Sequence, residues 1–241
     1  MIGIGIGLLI FAFFVSMIWV VASHNFNFDA IRPYFDNMAK GWGMTLLISF
    51  LALGISLGLG IFLTAAQLSP VAPTRWLTRI YIELIRGTPL ITQIVIGYYL
   101  LANEMGIESK FWVGIVILSA FTAAYLSEIF RAGIESIGKT QWESGRAIGL
   151  TTSQIYRLVI IPQAIRRVLP ASAGLFADLV KNSSLLYIIA VHEFFMQTRE
   201  AIANSYASIE GLIPLAIGYL AITLPISLFS RKMEARFKYE S

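Results

Sequence analysis

The sequence predicts an all-α polytopic membrane protein, and three observations carry that prediction. Hydrophobic residues make up 57% of the 241 and charged residues only 13%, against roughly 45–50% and about 25% in soluble domains. Three blocks, 1–23, 41–74 and 211–230, contain no charged side chain at all. The basic residues instead gather in the stretches between apolar blocks. A spanning helix takes about 20 apolar residues, and the sequence accommodates six such spans, at about 2–22, 42–66, 80–101, 111–131, 168–190 and 211–230.

The first span lacks the basic leading segment of a cleaved signal peptide, so it reads as a retained helix. In the second, Gly54 and Gly58 make a G-x-x-x-G pair, and with Gly60 they suit close helix packing. The third span opens and the fourth closes with the spacing E-x-x-R, as Glu83 with Arg86 and Glu128 with Arg131, each pair at the cytoplasmic end of its span. Residues three apart share a helix face, so each pair can bond internally or across the two helices. Either they form a structural charge cluster, or they form an inner gate whose pairs rearrange.

The fifth span places Lys181 about 13 residues from its start, roughly 20 Å into a core about 30 Å thick. A buried ammonium there suits a substrate carboxylate, with Asn182 and Ser183 adding hydrogen-bond capacity. Asp178, one turn earlier, is the alternative partner. The sixth span is free of charge. Trp19, Trp42, Tyr98, Tyr99 and Trp112 fall at one predicted membrane face, as an interfacial aromatic belt does.

Orientation follows from the lysines and arginines. Segments 67–79, 132–167 and 231–241 hold eleven of them, whereas the opposite side holds four, Arg32, Lys40, Lys110 and Arg199. The positive-inside rule puts both termini and the 132–167 loop in the cytoplasm. The net charge of +4 therefore reads as membrane orientation and not as nucleic-acid binding. Cysteine is absent, which excludes disulfides and thiolate metal sites. His24 and His192 sit isolated on the outer face. No histidine–carboxylate cluster has metal-ligand spacing, and no Ser/His/Asp arrangement suggests catalysis, so neither a metal site nor a catalytic residue is expected.

The stretch GIESIGKT, Gly133 to Thr140, fits the phosphate-loop pattern G-x-x-x-x-G-K-[ST]. A phosphate loop needs a buried strand before it and a helix after it. Here a membrane span precedes it, so the match reads as accidental. The residues that follow are more informative. Thr140 and Glu143 have capping-box spacing and predict a short helix at about 141–148, closed by Gly149 in the left-handed conformation. Thr151 and Gln154 predict a second capping box, with Pro162 interrupting the next helix. Small residues Ser144, Gly145 and Ala147 allow another surface to approach closely.

This segment resembles the cytoplasmic loop of permease subunits of bacterial ABC importers, E-A-A-x-x-x-G-x(9)-I-x-L-P. Glu143, Gly149 and Pro162 match it, Ser144 and Gly145 replace the alanines, and Val159 and Ile161 replace the aliphatic pair. YIELIRGTPLITQIVIGYYL (81–100) is similar to the third span of permeases for polar amino acids, E-x-x-R-G-T-P-L-x-x-Q. LSEIFRAGIESIGKTQWESGRAIGL (126–150) and LVKNSSLLYIIAVHE (179–193) continue the likeness.

The resemblance implies a five-span permease core at 41–232, with a coupling helix at about 140–150. Residues 1–40 add a helix and a periplasmic loop, and 233–241 form a cytoplasmic tail. It implies that Glu143, Ser144, Gly145, Ala147 and Gly149 dock on an ATPase subunit, present as a dimer, where ATP and magnesium bind; this chain carries no cofactor. Beside what the resemblance implies, Thr88 and Gln93 are expected, with Lys181, Asn182, Ser183 and Asp178, along the substrate pathway. The further partners it implies are a second permease, identical or paralogous, a periplasmic amino-acid-binding protein that meets segments 23–40 and 191–210, and the lipid of a bacterial inner membrane. An ion- or proton-coupled secondary transporter is the alternative. It would use broken helices and repeated halves, and no internal repeat is visible.

Overall fold

The computed structural model describes residues 26–238 and, ahead of them, 11–13, 15, 16, 19 and 23. The expected first span falls largely outside the described residues, and His24 falls wholly outside them. Every regular element among the described residues is helical. One turn at Phe28–Ile31 and a 3-10 turn at Arg32–Tyr34 lead into α1, Phe35–Gln67; α2 is Ala72–Gly87 and α3 is Leu90–Val95, which widens into a π-helical stretch Ile96–Ala102. Then come α4 Lys110–Glu135, α5 Lys139–Ala147 and α6 Thr152–Ile155, followed by a π-helical turn Tyr156–Ile160. The chain ends with α7 Ile161–Asn182, a 3-10 run Ser183–Ile189, α8 Phe194–Ser205 and α9 Ser208–Lys238.

Among the described residues, four helical segments are long and apolar enough to cross a membrane: Phe28–Gln67, Lys110–Glu135, Thr152–Ile189 and Ser208–Arg236. A fifth arises if α2 and α3–Ala102 count as one span, although they meet at 108°. The expected straight span at 80–101 is therefore corrected. Pro89 disfavours helical backbone at the residue before it, and Thr88 is extended at φ −120° and ψ 146°. Gln93 Nε2 donates to Ile85 O at 2.8 Å and Thr88 O at 3.2 Å, covering carbonyls that the break exposes. Segments expected as loops are also helical: α2 begins at Ala72, and the helical turns ahead of α1 begin at Phe28.

Pro162 does not end a helix. It occupies the first turn of α7, where its missing N–H costs least, and the preceding π turn carries the chain into it.

α1 and α4 pack along a seam of small residues. Ala52, Ser56, Gly60 and Thr64 recur every four positions on α1 and are all buried, as are Ser119, Ala123 and Ser127 on α4. Ser56 Oγ donates to Ala52 O at 2.6 Å and Ser119 O at 3.2 Å, and Thr64 Oγ1 donates to Gly60 O at 2.7 Å and Ser127 O at 3.2 Å. In a membrane such interhelical bonds average about 0.6 kcal/mol each. A Cβ on Gly60 would lie 2.9 Å from Leu126 Cβ, whereas Gly54 and Gly58 are exposed with nothing near them. The expected Gly54–Gly58 packing pair is thus replaced by Gly60 and its four-residue repeat. The aromatic belt changes too, because Tyr98 turns into the core beside Ile48, Ile94 and Leu118.

Candidate functional site

At one end of the bundle, α5 stands on a small core of its own. Ile137, Ile155 and Ile160 are buried there, and Trp142 meets Tyr156 edge to face at 4.8 Å between ring centres. The expected Thr140–Glu143 capping box is absent. Gly138, extended at ψ 146°, begins the helix two residues earlier than that box requires, so Thr140 falls inside the first turn. At the other end Gly149 does adopt the left-handed conformation, φ +83°. Leu150 N donates to Gly145 O at 3.1 Å and Gly149 N to Arg146 O at 3.0 Å, the double bond pattern of a glycine-terminated helix. The second capping box, Thr151 with Gln154, forms as expected.

The face of α5 is divided. Gly145 turns inward, where a Cβ would lie 2.9 Å from Ile155, so its small size serves internal packing. Glu143, Ser144 and Ala147 point outward, and Ile148 just beyond them is 76% exposed. A short helix held rigidly from below offers this uncovered strip to whatever lies beyond the bundle.

Charges occupy the same end of α2 and α4. Arg86 Nη1 lies 3.4 Å from Glu128 Oε2 across the two helices, with its guanidinium over the Tyr125 ring at 5.3 Å. Arg131 bonds Glu128 on its own helix at 3.2 and 2.9 Å, and Glu135 at 2.6 Å. Glu83 is exposed and joins none of these pairs.

Lys181 lies in the last turn of α7, paired with Asp178 at 2.7 Å. Both side chains are more than half exposed, so they face away from this chain's own bundle. Ser183 is buried and donates to Val180 O at 2.8 Å. Thr88 Oγ1 donates to Leu84 O and accepts from Gln93 Nε2, both at 2.8 Å, so these two side chains stitch the 108° break.

At the opposite end, Glu193 is fully buried and caps α8, a role that sequence reasoning missed. Its Oε1 accepts from Met196 N at 2.8 Å, and its Oε2 from Phe195 N at 2.9 Å, Tyr219 OH at 3.1 Å and Thr45 Oγ1 at 3.3 Å. Burial pushes its pKa from 4.5 up to about 7, against the pull of those donors. The available signal was a single carboxylate inside the apolar run LLYIIAVHEFF. His192, expected to be isolated, pairs with Glu200 at 3.2 Å.

The family model for the inner membrane component of binding-protein-dependent transport systems matches residues 56–239. The chain is 32% identical over 215 residues to the arginine transport system permease protein ArtQ of Bacillus subtilis, covering 89% of this chain and 98% of that one. It is 34% identical over 216 residues to the glutamine transport system permease protein GlnP of Escherichia coli, covering 88% and 98%. Among solved structures, a chain from the crystal structure of an amino acid ABC transporter with histidines superposes with a TM-score of 0.81 at 32% identity, covering 88% of this chain and all of that one. An inward-facing structure of the MetNI methionine ABC transporter shares the fold, with a TM-score of 0.62 at 19% identity over 83% and 95% of the two chains.

Proposed function

This chain belongs to the family of inner membrane components of binding-protein-dependent transport systems, and from that premise we propose how it works as the permease subunit of an ATP-driven importer of a polar amino acid. ATP hydrolysis belongs to a separate subunit. The relatives are ABC permeases, so the ion-coupled carrier reading has no support from them.

The observation that carries the mechanism is the uncovered strip of α5. Glu143, Ser144, Ala147 and Ile148 are presented by a helix whose other face is locked on Trp142, Gly145 and Ile155. We assign this strip to the groove of the ATPase subunit. Closure of an ATPase dimer would then move α5, and through the Ile137–Ile155–Ile160 core it would move the ends of α4 and α7. This orientation puts α5 and both termini in the cytoplasm and the segment around α8 outside, in an inner membrane. The extra helix at 2–22 would make six spans. GIESIGKT serves no nucleotide in this reading, because Gly133 lies within α4 against Val168.

Asp178 and Lys181 give the substrate route. Charges halfway across a membrane face a cavity or another helix and not lipid, and these two face away from their own bundle. We place them on the aqueous path between this permease and a second one, identical or paralogous. Asn182 lies beside them and has no side-chain partner among the described residues. The Arg86–Glu128–Arg131 cluster would close the inner end of that path.

The test is reconstitution of the chain with its ATPase, its partner permease if there is one, and its binding protein in proteoliposomes. Accumulation of labelled L-glutamine or L-arginine, dependent on internal ATP and on the binding protein, is the expected result. Uptake without ATP, driven by an ion gradient, would overturn the reading.

A further inference from the structure

Glu193 is a fully buried carboxyl whose partners are all neutral donors: two backbone N–H groups of α8, the Thr45 hydroxyl of α1 and the Tyr219 hydroxyl of α9. No lysine, arginine or histidine pairs with it among the described residues. An N-cap needs only the two backbone bonds, and aspartate serves there as well as glutamate. The longer side chain adds reach, and here that reach extends to two spanning helices at once.

The surroundings make this point the common contact of three helices. Thr45 Oγ1 also accepts from Phe194 N at 3.1 Å, and Trp42 Nε1 donates to Gly218 O at 3.0 Å, tying α1 to α9 nearby. A Cβ on Gly41 would lie 2.8 Å from Gln197, which leaves no slack between α1 and α8. The Phe194 and Tyr219 rings lie 5.6 Å apart. By contrast, the far end of α8 is open, with Tyr206 92% exposed.

We propose that Glu193 is a positioning residue for transport, the joint through which a load placed on α8 passes into α1 and α9 together. The proposal rests on the importer reading, in which the binding protein presses on the segment around α8. Buried polar groups transmit displacement because leaving one donor or acceptor unpaired is expensive. A shift of α8 therefore carries Thr45 and Tyr219 with it.

The test uses the assembled importer in proteoliposomes, with labelled L-glutamine or L-arginine, whichever the wild-type assembly accumulates. Glu193→Asp keeps the cap but withdraws from Thr45 and Tyr219. Tyr219→Phe removes one spanning contact and leaves the cap alone. Glu193→Gln keeps length: with its carbonyl oxygen in the place of Oε2 it still accepts from Phe195 N and both hydroxyls, and only the Met196 N–H bond is given up. The readouts are abundance in the assembled complex, stimulation of ATPase activity by loaded binding protein, and amino acid moved per ATP. The expected result is normal abundance in all three, with stimulation and transport per ATP falling by about tenfold in Glu193→Asp and Tyr219→Phe, the scale of one lost buried hydrogen bond, and largely retained in Glu193→Gln. Wild-type coupling in Glu193→Asp and Tyr219→Phe, or equal loss in Glu193→Gln, would overturn it. Should Glu193→Asp not assemble, Tyr219→Phe combined with Thr45→Val decides alone. Failure of the importer reading itself would look different, since wild type would then show no stimulation by binding protein.

Discussion

Arg86 and Glu128 meet at 3.4 Å across α2 and α4, and the same Glu128 is held by Arg131 on its own helix. Two E-x-x-R pairs in the sequence have therefore become one shared carboxylate with two guanidinium groups, while Glu83 stands apart. Exposed ion pairs contribute about 0–1 kcal/mol, and Arg86 and Glu128 are partly exposed, at 40% and 25%. Their value to folding is small, which leaves room for a role in motion. Arg86→Met is expected to leave complex abundance within about twofold of wild type while lowering uptake strongly. Glu83→Gln is expected to change neither. Equal behaviour of the two variants in an uptake assay normalised to abundance would remove Arg86 from the gate.

Gly60 and Gly58 differ in the same way, by what each faces. Overpacking a close helix contact costs about 1–3 kcal/mol. Gly60→Val would drive a branched side chain into Leu126 and is expected to lower the melting temperature of the purified protein by several degrees. Gly58→Val meets nothing within this chain and is expected to be neutral in the isolated permease. A melting curve for each checks both.

These contrasts explain what was legible in the sequence. The long apolar runs predicted spans 42–66, 111–131 and 211–230, and each lies inside a long apolar helix. Apolar run length survives any tertiary arrangement, so it reads well. Gly149 was legible for a related reason: a left-handed helix stop is a local preference. The Thr140 capping box was not, because a box needs an extended residue at Thr140, and Gly138 takes that conformation first. The four-residue repeat Ala52–Ser56–Gly60–Thr64 and the Gly54–Gly58 pair are equally good packing motifs on paper. Only the position of α4 selects between them. Glu193 escaped notice because its meaning lies in Thr45 and Tyr219, 148 and 26 residues away.

The α5 strip makes a prediction that separates docking from folding. Glu143 is exposed and bonded to nothing essential in its own chain, so Glu143→Lys is expected to leave assembly of the permease intact and uncouple ATPase activity from uptake. Gly149→Val is expected to do more damage, since φ +83° is costly for a β-branched residue. Lys139→Ala is expected to transport close to normally. Abolition of ATP-driven uptake by Lys139→Ala, in a fully assembled complex, would instead restore GIESIGKT as a nucleotide site.

Glu193 predicts a pH dependence of stability with a definite sign. Its pKa is raised on folding, from 4.5 to about 7. The contribution is fully present below pH 4.5 and is lost as pH rises through about 7, where the buried carboxyl must ionise. The groups facing it, Thr45 and Tyr219 with the N–H groups of Phe195 and Met196, supply no counter-charge. The melting temperature is therefore expected to fall between about pH 5 and pH 8, and Glu193→Gln is expected to flatten that slope. A slope unchanged in Glu193→Gln would assign it to another group, His192 being the neighbour to examine next.

Lys181 decides how the cargo is held. A free amino acid brings a carboxylate that must exchange its water for a cation or several donors inside the membrane. Lys181 offers that cation, but at 2.7 Å it already has Asp178. If the pair is structural, Lys181→Met strands the Asp178 carboxylate at the depth of the membrane and lowers complex abundance, because a charge inside a spanning helix needs a partner. Asp178→Asn combined with Lys181→Met then removes both charges and restores abundance and uptake together. If Lys181 receives the substrate, the double variant assembles normally, binds loaded binding protein as wild type does, and still fails to move amino acid. The exposure of both side chains, 57% and 56%, favours the second outcome: a pair needed only to neutralise itself has no reason to face the open side of α7. The expected result is therefore normal assembly of the double variant with uptake reduced at least tenfold, about 1.4 kcal/mol of lost binding, and recovery of uptake would place Lys181 outside the substrate route.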